Sequence, residues 1–321
     1  MSFDPESFER GALHETALVL DFAEVPILLV RGKSPGKTLV VTAAVHGDEY
    51  EGVRALLEVA REVDPAAMSG DLIAVPVANP PAFWNGTRNS PLDGANLART
   101  FPGDPAGTPS QRLAWELGHR VIARADFYAD LHSGGVKWRM PSMAGYDASD
   151  PRSEAGALAF GAEIVWGHPD IAPGRTVSFA KSRGIPFLYT EARGAGRIAA
   201  DDLAMMKRGV INLLRRLAIL PGEPERLPLR MRLHGEGNIE RGINAPRRGF
   251  LIPEVDLLDR VEQGQLLGRL VDTHGRTLDE FRAPCAGVVG LRREFPPVEE
   301  GEPLFLIAEV LDVAGFDTMA P

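Results

Sequence analysis

Hydrophobic positions along the chain fall into short runs between polar turns, and the period of each run separates strands from helices. Lys37–Val45 (KTLVVTAAV) is an apolar, β-rich run between the turn GKSPG and the tetrapeptide HGDE. Such a run predicts a strand buried on both faces, as in a parallel sheet. From Tyr50 to Val63 the period changes, and Val53, Leu56, Leu57 and Ala60 share one face of a helix. Asp71–Val77 (DLIAVPV) reads as a second buried strand, with Pro76 awkward inside it because proline cannot donate to a ladder. Asn79–Pro109 has little periodicity and much Asn, Gly and Pro, which predicts a long irregular loop of the kind that is usually functional. Thr108-Pro109-Ser110-Gln111 ends that loop with a capping-box pattern and Pro at the first helical position. The helix it opens is expected to run to about Ala125. Phe127–Leu131 reads as a strand that ends at His132, and Asp201–Leu217 as a further helix.

Strand and helix alternate as far as the break Pro221-Gly222-Glu223-Pro224, which predicts an α/β domain over residues 1–224. Beyond it come short strands with Gly and Pro turns (GFLIPEV, GQLLGRLVD, FRAPCAGVVGLRR, EPLFLIAEV) and no helical pattern. Residues 225–321 are therefore expected to form a smaller all-β domain. One large and one small domain suit a length of 321 residues.

Composition narrows the partners. The net charge of −9 argues against a nucleic acid or an anionic membrane surface. A single cysteine, Cys285, excludes an intramolecular disulfide and fits a reducing compartment. The segment MSFDPESFERG lacks the apolar core of a secretory signal, and no stretch approaches the roughly 20 apolar residues of a spanning helix. A cytoplasmic protein with a small-molecule partner is the expectation; self-association into a homo-oligomer stays open.

In an open α/β sheet, ligands gather beyond the carboxyl ends of the strands. His46 and His132 each follow a predicted strand, and Glu49 lies three residues past His46. A close pair of ligands with a distant third is how catalytic zinc is commonly held, the fourth position being left to water. H-x-x-E is a weak signal alone, and at this point a metal site and hydrogen-bonded structural histidines fit about equally. The long loop adds Arg88 and Arg99 beside the Asp93-Gly94 turn. Two arginines near a metal suit an anionic small substrate; arginines that merely pin the loop by salt bridges suit the same sequence.

Four segments together resemble one family: HGDE (46–49), VANPPAFWNGTRNSPLDGANLARTFPG (77–103), YADLHSGG (128–135) and YTEARGAG (189–196). In order and approximate spacing the chain is similar to the succinylglutamate desuccinylase/aspartoacylase family, relatives of the zinc carboxypeptidases. The resemblance runs nearly full length. It implies an α/β fold with a mixed sheet flanked by helices and a small C-terminal β domain. It also implies one zinc ion held by His46, Glu49 and His132, and hydrolysis of the amide bond of a small N-acyl amino acid. Glu191 matches the general base, Arg88 the arginine at the oxyanion, and Arg99 the arginine at the substrate carboxylate. Two positions depart from the family pattern. Many members read Asp-Leu-Asn-Arg where this chain reads Asn96-Leu97-Ala98-Arg99. Asn96 stands where an acid would orient a ligand histidine, and Ala98 removes a polar group beside the carboxylate, so an altered pocket is expected rather than a strict aspartoacylase. The segment APCAGVVG…EEGEPLFLI resembles a lipoyl or biotinyl carrier half-barrel. No lysine follows Lys207, so a carrier role is excluded and a wall or lid for the active site is expected. A peptide-cleaving carboxypeptidase and a non-catalytic binding protein on the same fold are the rival readings. No G-x-S-x-G supports a serine amidase.

Overall fold

The structure, a computed structural model, describes residues 3–311. In chain order its elements are β1 (Ala12–Val19), β2 (Glu24–Arg31), β3 (Ser34–Ala43), α1 (Glu51–Glu62), β4 (Ser69–Val75), α2 (Pro80–Asn85), α3 (Pro109–Glu116), β5 (Phe127–Leu131), β6 (Trp138–Arg139) and β7 (Met143–Asp147). There follow α4 (Pro151–Phe160), β8 (Ile164–His168), α5 (Thr176–Ser182), β9 (Phe187–Glu191), α6 (Ala200–Arg216) and β10 (Met231–His234). The remainder is β11 (Ile243–Asn244), β12 (Gly249–Pro253), β13 (Arg260–Val261), β14 (Leu266–Val271), β15 (Thr277–Arg282), β16 (Gly287–Arg293), β17 (Pro297–Val298) and β18 (Pro303–Leu311).

A large mixed sheet runs in the order β1-β2-β4-β3-β5-β9-β7-β8-β10-β18-β16-β13. Its centre is parallel: β3 pairs in parallel with both β4 and β5, and β5 with β9. Strands β1, β2 and β7 join it antiparallel, so the sheet is mixed, as the family resemblance implies. The apolar run at β3 is unbroken because both its faces are covered. Leu39, Val41 and Ala43 pack into the core under α1, α4 and α6, while Val40 faces the core under α3 and α5. That alternation is the period-2 rule applied to a strand with helices on both sides.

Several element boundaries differ from the sequence reading for local reasons. β4 ends at Val75, one residue before Pro76, whose missing N–H stops the ladder. The Asn79–Pro109 stretch is not wholly irregular. Asn79 caps α2 by accepting the Ala82 N–H, with Pro80 and Pro81 in the first turn, and Leu97–Arg99 forms a 3-10 turn capped by Asn96. The Thr108/Gln111 capping box forms as expected. The helix it opens continues as a π turn (Leu117–Val121) and a 3-10 turn (Ile122–Arg124). The sequence reading also lacked the β1–β2 hairpin and the β7-α4-β8-α5-β9 run.

Among the described residues past Pro224 the chain is predominantly β, with one 3-10 turn at Ile239–Arg241, and part of it forms a separate antiparallel sheet, β15-β14-β12-β17, over its own core. Another part continues the large sheet: β10 pairs in parallel with β8, and β18 antiparallel with β10. Residues 312–321 of the expected C-terminal domain lie outside the described residues. Among the described residues no helix is long and apolar enough to cross a membrane.

Candidate active site

Because β3, β5 and β9 are parallel neighbours, their carboxyl ends open on one crevice. His46 follows β3 by three residues, His132 follows β5 directly, and Glu191 is the last residue of β9. Between Ala43 and His46 the chain takes a left-handed turn at Ala44 (φ 49°), an unfavourable conformation for a residue with a Cβ. This turn re-aims the backbone so that His46 and Glu49 face the crevice rather than continuing the strand.

The three side chains converge. His46 Nδ1 lies 2.8 Å from Glu49 Oε1, and His132 Nδ1 lies 2.8 Å from Glu49 Oε2. One donor atom from each residue falls within 4.8 Å of the others, and all three residues are buried or nearly so. The far nitrogens are also engaged: His46 Nε2 with Asn96 Oδ1 at 3.1 Å, and His132 Nε2 with Asp130 Oδ2 at 2.9 Å. Carboxylate and amide oxygens only accept, so Asn96 and Asp130 each fix a proton on Nε2, while both Nδ1 atoms face the Glu49 carboxylate, where a bound metal ion would take the place of the protons between them. Asp130 is itself fully buried and accepts from Thr42 at 2.6 Å and from the Thr176 hydroxyl. Two imidazoles and one carboxylate, with oriented outer partners and a free side, fit the donor chemistry of a catalytic zinc ion.

The electrostatics follow from burial and crowding. Burial, aided by Arg88, pushes His46 down to about 4. Burial also opposes a charge on His132, but Asp130 and Glu49 outweigh it and raise this imidazole well above its ordinary value. Glu49 resists burial through the two histidines, which hold its carboxyl well below the usual range. At Glu191 the cations lose: His132 and Arg88 favour its charge but do not offset burial. Burial, reinforced by Glu49, pushes it up to about 8, and its enclosed Oε2 accepts no hydrogen bond.

These groups line a cavity of about 80 Å³. Arg88 reaches it from the α2–3-10 loop and donates to Glu49 Oε1 at 3.2 Å. Arg99 also lines it, but three of its donors are engaged, with Glu240 Oε1 (3.0 Å), the Ala98 carbonyl (2.9 Å) and Asn238 Oδ1 (3.5 Å). A third arginine, Arg175, lines the same cavity and forms no ion pair among the described residues. It stands close enough to Arg99 to reinforce the downward push that burial gives that guanidinium. Residues from beyond Pro224, among them Gly237, Ile239 and Leu291, complete the wall.

Residues 35–217 match the family described as Succinylglutamate desuccinylase/Aspartoacylase catalytic domain. The chain belongs to this family. An N-alpha-acetyl-L-2,4-diaminobutyric acid deacetylase of Halomonas elongata is 32% identical over 300 residues, covering 91% of this chain and 87% of that protein. The product-bound structure of the ectoine utilization protein EutE (DoeB) from Ruegeria pomeroyi superposes with a TM-score of 0.83 at 28% identity, covering 92% of this chain and 94% of that one. A succinylglutamate desuccinylase from a Silicibacter species gives a TM-score of 0.85 at 29% identity, with 94% and 96% covered.

In this succinylglutamate desuccinylase/aspartoacylase chain, the crevice also holds residues that the sequence did not single out, among them Asp130, Trp138, Arg175 and Tyr189. Asp130 left a usable signal, a charged residue inside a strand otherwise read as buried (YADLH), two positions before His132. Arg175 left none, because it comes from a loop with no motif. Arg193, from the YTEARGAG segment, is spent on Asp201 and Asp202.

Proposed function

We propose that the chain is a zinc-dependent deacylase that hydrolyses the amide bond of a small N-acyl amino acid, with one zinc ion held by His46, Glu49 and His132. The observation that carries this reading is the convergence of those three donor sets within 4.8 Å, in a cavity that also holds Glu191 and Arg88. Zinc, when bound, supplies Lewis acidity that acidifies water and polarises a carbonyl. Glu191 takes the proton from the attacking water and delivers it to the leaving amine; a carboxyl raised by burial suits both directions of transfer near neutrality. Arg88 presents its guanidinium to the oxyanion that develops on the amide oxygen. Arg99 and Arg175 form the cationic wall that receives the substrate carboxylate; Arg99 keeps the role expected from the family, and Arg175 adds a guanidinium with no ion pair among the described residues. Asn96 orients His46 and so acts at the edge of the substrate site. The small cavity, walled partly by residues after Pro224, favours a compact acyl amino acid over a peptide chain. The Halomonas relative makes N-acetyl-L-2,4-diaminobutyrate the first substrate to try.

The test combines metal analysis with assays on N-acetyl-diaminobutyrate, N-acetyl-aspartate and N-succinyl-glutamate. About one zinc per chain is expected, lost in His132→Ala. Glu191→Gln should keep the metal and lower kcat by a factor on the order of 10² or more. Full zinc occupancy in His132→Ala, or near-normal kcat in Glu191→Gln, would overturn the respective assignment.

A further inference from the structure

Arg88 has to meet two demands that conflict. Its long side chain extends from a loop and must be held in one place, yet the guanidinium must keep its charge and its N–H edge for an oxyanion. A carboxylate partner would meet the first demand by spoiling the second. The structure gives Arg88 one carboxylate contact, to Glu49, which belongs to the proposed metal set, and one contact of another kind. The guanidinium carbon lies 5.3 Å from the centre of the Trp138 ring. A π face attracts a cation without consuming its N–H donors.

Trp138 is itself held from several sides. Its ring N–H donates to the Pro303 carbonyl at 2.9 Å, and its backbone N–H to Gly134 at 3.1 Å. Gly134 allows that approach: a Cβ there would stand 2.3 Å from the Trp138 carbonyl oxygen. In the ladder of β6 with β16, Trp138 is opposite Arg293. The Arg293 guanidinium lies 5.4 Å from the same ring, buried, with donors on Phe295 O, Pro297 O and Glu302. Glu302 balances its charge. The tryptophan is thus fixed by strands of the region after Pro224 and presents its ring to Arg88.

We propose that Trp138 is a positioning residue for Arg88, and that through it strands β16 and β18 set the geometry of the oxyanion-binding arginine; this rests on the role given to Arg88 above. The function of the C-terminal region is then more than enclosure. It supplies the rigid support for a charged group in the reaction centre.

The experiment is a double-mutant cycle on the zinc-loaded full chain with N-acetyl-L-2,4-diaminobutyrate: parent, Arg88→Ala, Trp138→Leu and the double variant. Trp138→Leu should lower kcat about tenfold and change KM less than about twofold, because the contact acts through an interaction realised in the transition state. In the Arg88→Ala background the same change should have little further effect on kcat. Trp138→Phe, which also loses the bond to Pro303 but keeps a ring, should lose clearly less than Trp138→Leu. A readout free of turnover is thermal unfolding of the same four proteins in chelator, where the two substitutions should be non-additive. Equal, additive losses of kcat in both backgrounds, or Phe and Leu variants that behave alike, would overturn the positioning role while leaving Arg88 in place. Normal kcat in Arg88→Ala would remove the role of Arg88 itself, and this inference with it.

Discussion

Asn96 and Ala98 mark the departures of this chain from its family pattern, and the fold treats them differently. The Asn96 side-chain oxygen does two tasks, accepting the Ala98 N–H at 2.9 Å and facing His46 Nε2 at 3.1 Å. An amide can therefore cap the turn and hold the imidazole as an acid would, though without the charge. Ala98 is buried against the cavity and offers only its carbonyl, which Arg99 uses. A different residue-scale consequence comes from His168, at the end of β8. It is buried between the Gly235 carbonyl (2.9 Å) and the Tyr189 hydroxyl (2.7 Å), and burial pushes it down to about 4. The unfolded imidazole takes its proton near 6.5, whereas the folded one resists until about 4. Stability contributed by the neutral ring is thus fully present above about 6.5 and lost as pH falls towards 4, by an amount on the order of a few kcal/mol. Denaturant unfolding at several pH values should show this slope, and His168→Gln should flatten it. An unchanged slope in that variant would mean that other groups, His46 first among them, carry the acid sensitivity.

Among the elements, the β3–α1 connection carries the most chemistry in the least chain. Ala44 turns it, and Gly47 lets it pass the backbone of α2: a Cβ on Gly47 would stand 2.1 Å from the Ala82 carbonyl carbon. Backbone cannot move aside as a flexible side chain can, so Gly47→Ala must displace either α2 or the connection that carries His46 and Glu49. The expected outcome is a loss of about 1–3 kcal/mol, the usual cost of overpacking, together with weaker zinc binding. Calorimetry and a competitive zinc titration check it; a variant with parent-like stability and zinc affinity would show that the connection yields without moving its ligands. Sequence patterns found this connection readily. HGDE after an apolar run is legible because strand, turn and helix have distinct periods. The α2 turn was hidden in the Asn- and Pro-rich stretch because six residues are too few to show a helical period, and Asn79 and the two prolines read equally well as a loop.

At the scale of the whole molecule, the region after Pro224 is joined to the α/β part by strands rather than by a linker. β10 closes the edge of β8, and Leu233, Val288 and Ala308 pack with Met143 and the fully buried Trp166 in one cluster. Gly290 sits against that indole, where a Cβ would be 2.9 Å from the ring. A chain ended at Pro224 would leave β8 with an open edge and Trp166 uncovered, a template for aggregation. Such a truncation should be insoluble or aggregated and inactive when purified and examined by size-exclusion chromatography. A monodisperse, active fragment would show instead that the α/β part stands alone.

The chain's local patterns by themselves determined the core strands β3, β4 and β5, the helices α1 and α6, the capping box at Thr108 and the β texture of the C-terminal third. Each depends on neighbours a few residues away, which is the range over which period and turn chemistry act. The family motifs pointed to His46, Glu49, His132, Arg88, Arg99 and Glu191 one at a time. Only the tertiary structure decided that β3, β5 and β9 are adjacent and parallel, and so that two histidines from two strand ends meet on the carboxylate of Glu49. It also decided which arginines are spent and which are not, since Arg193 closes on Asp202 and Arg99 on Glu240, 141 positions away, while Arg175 faces the cavity. The physical reason is that an ion pair or a metal site is a relation between side chains brought together by packing, and no local period records which distant residue the packing will deliver.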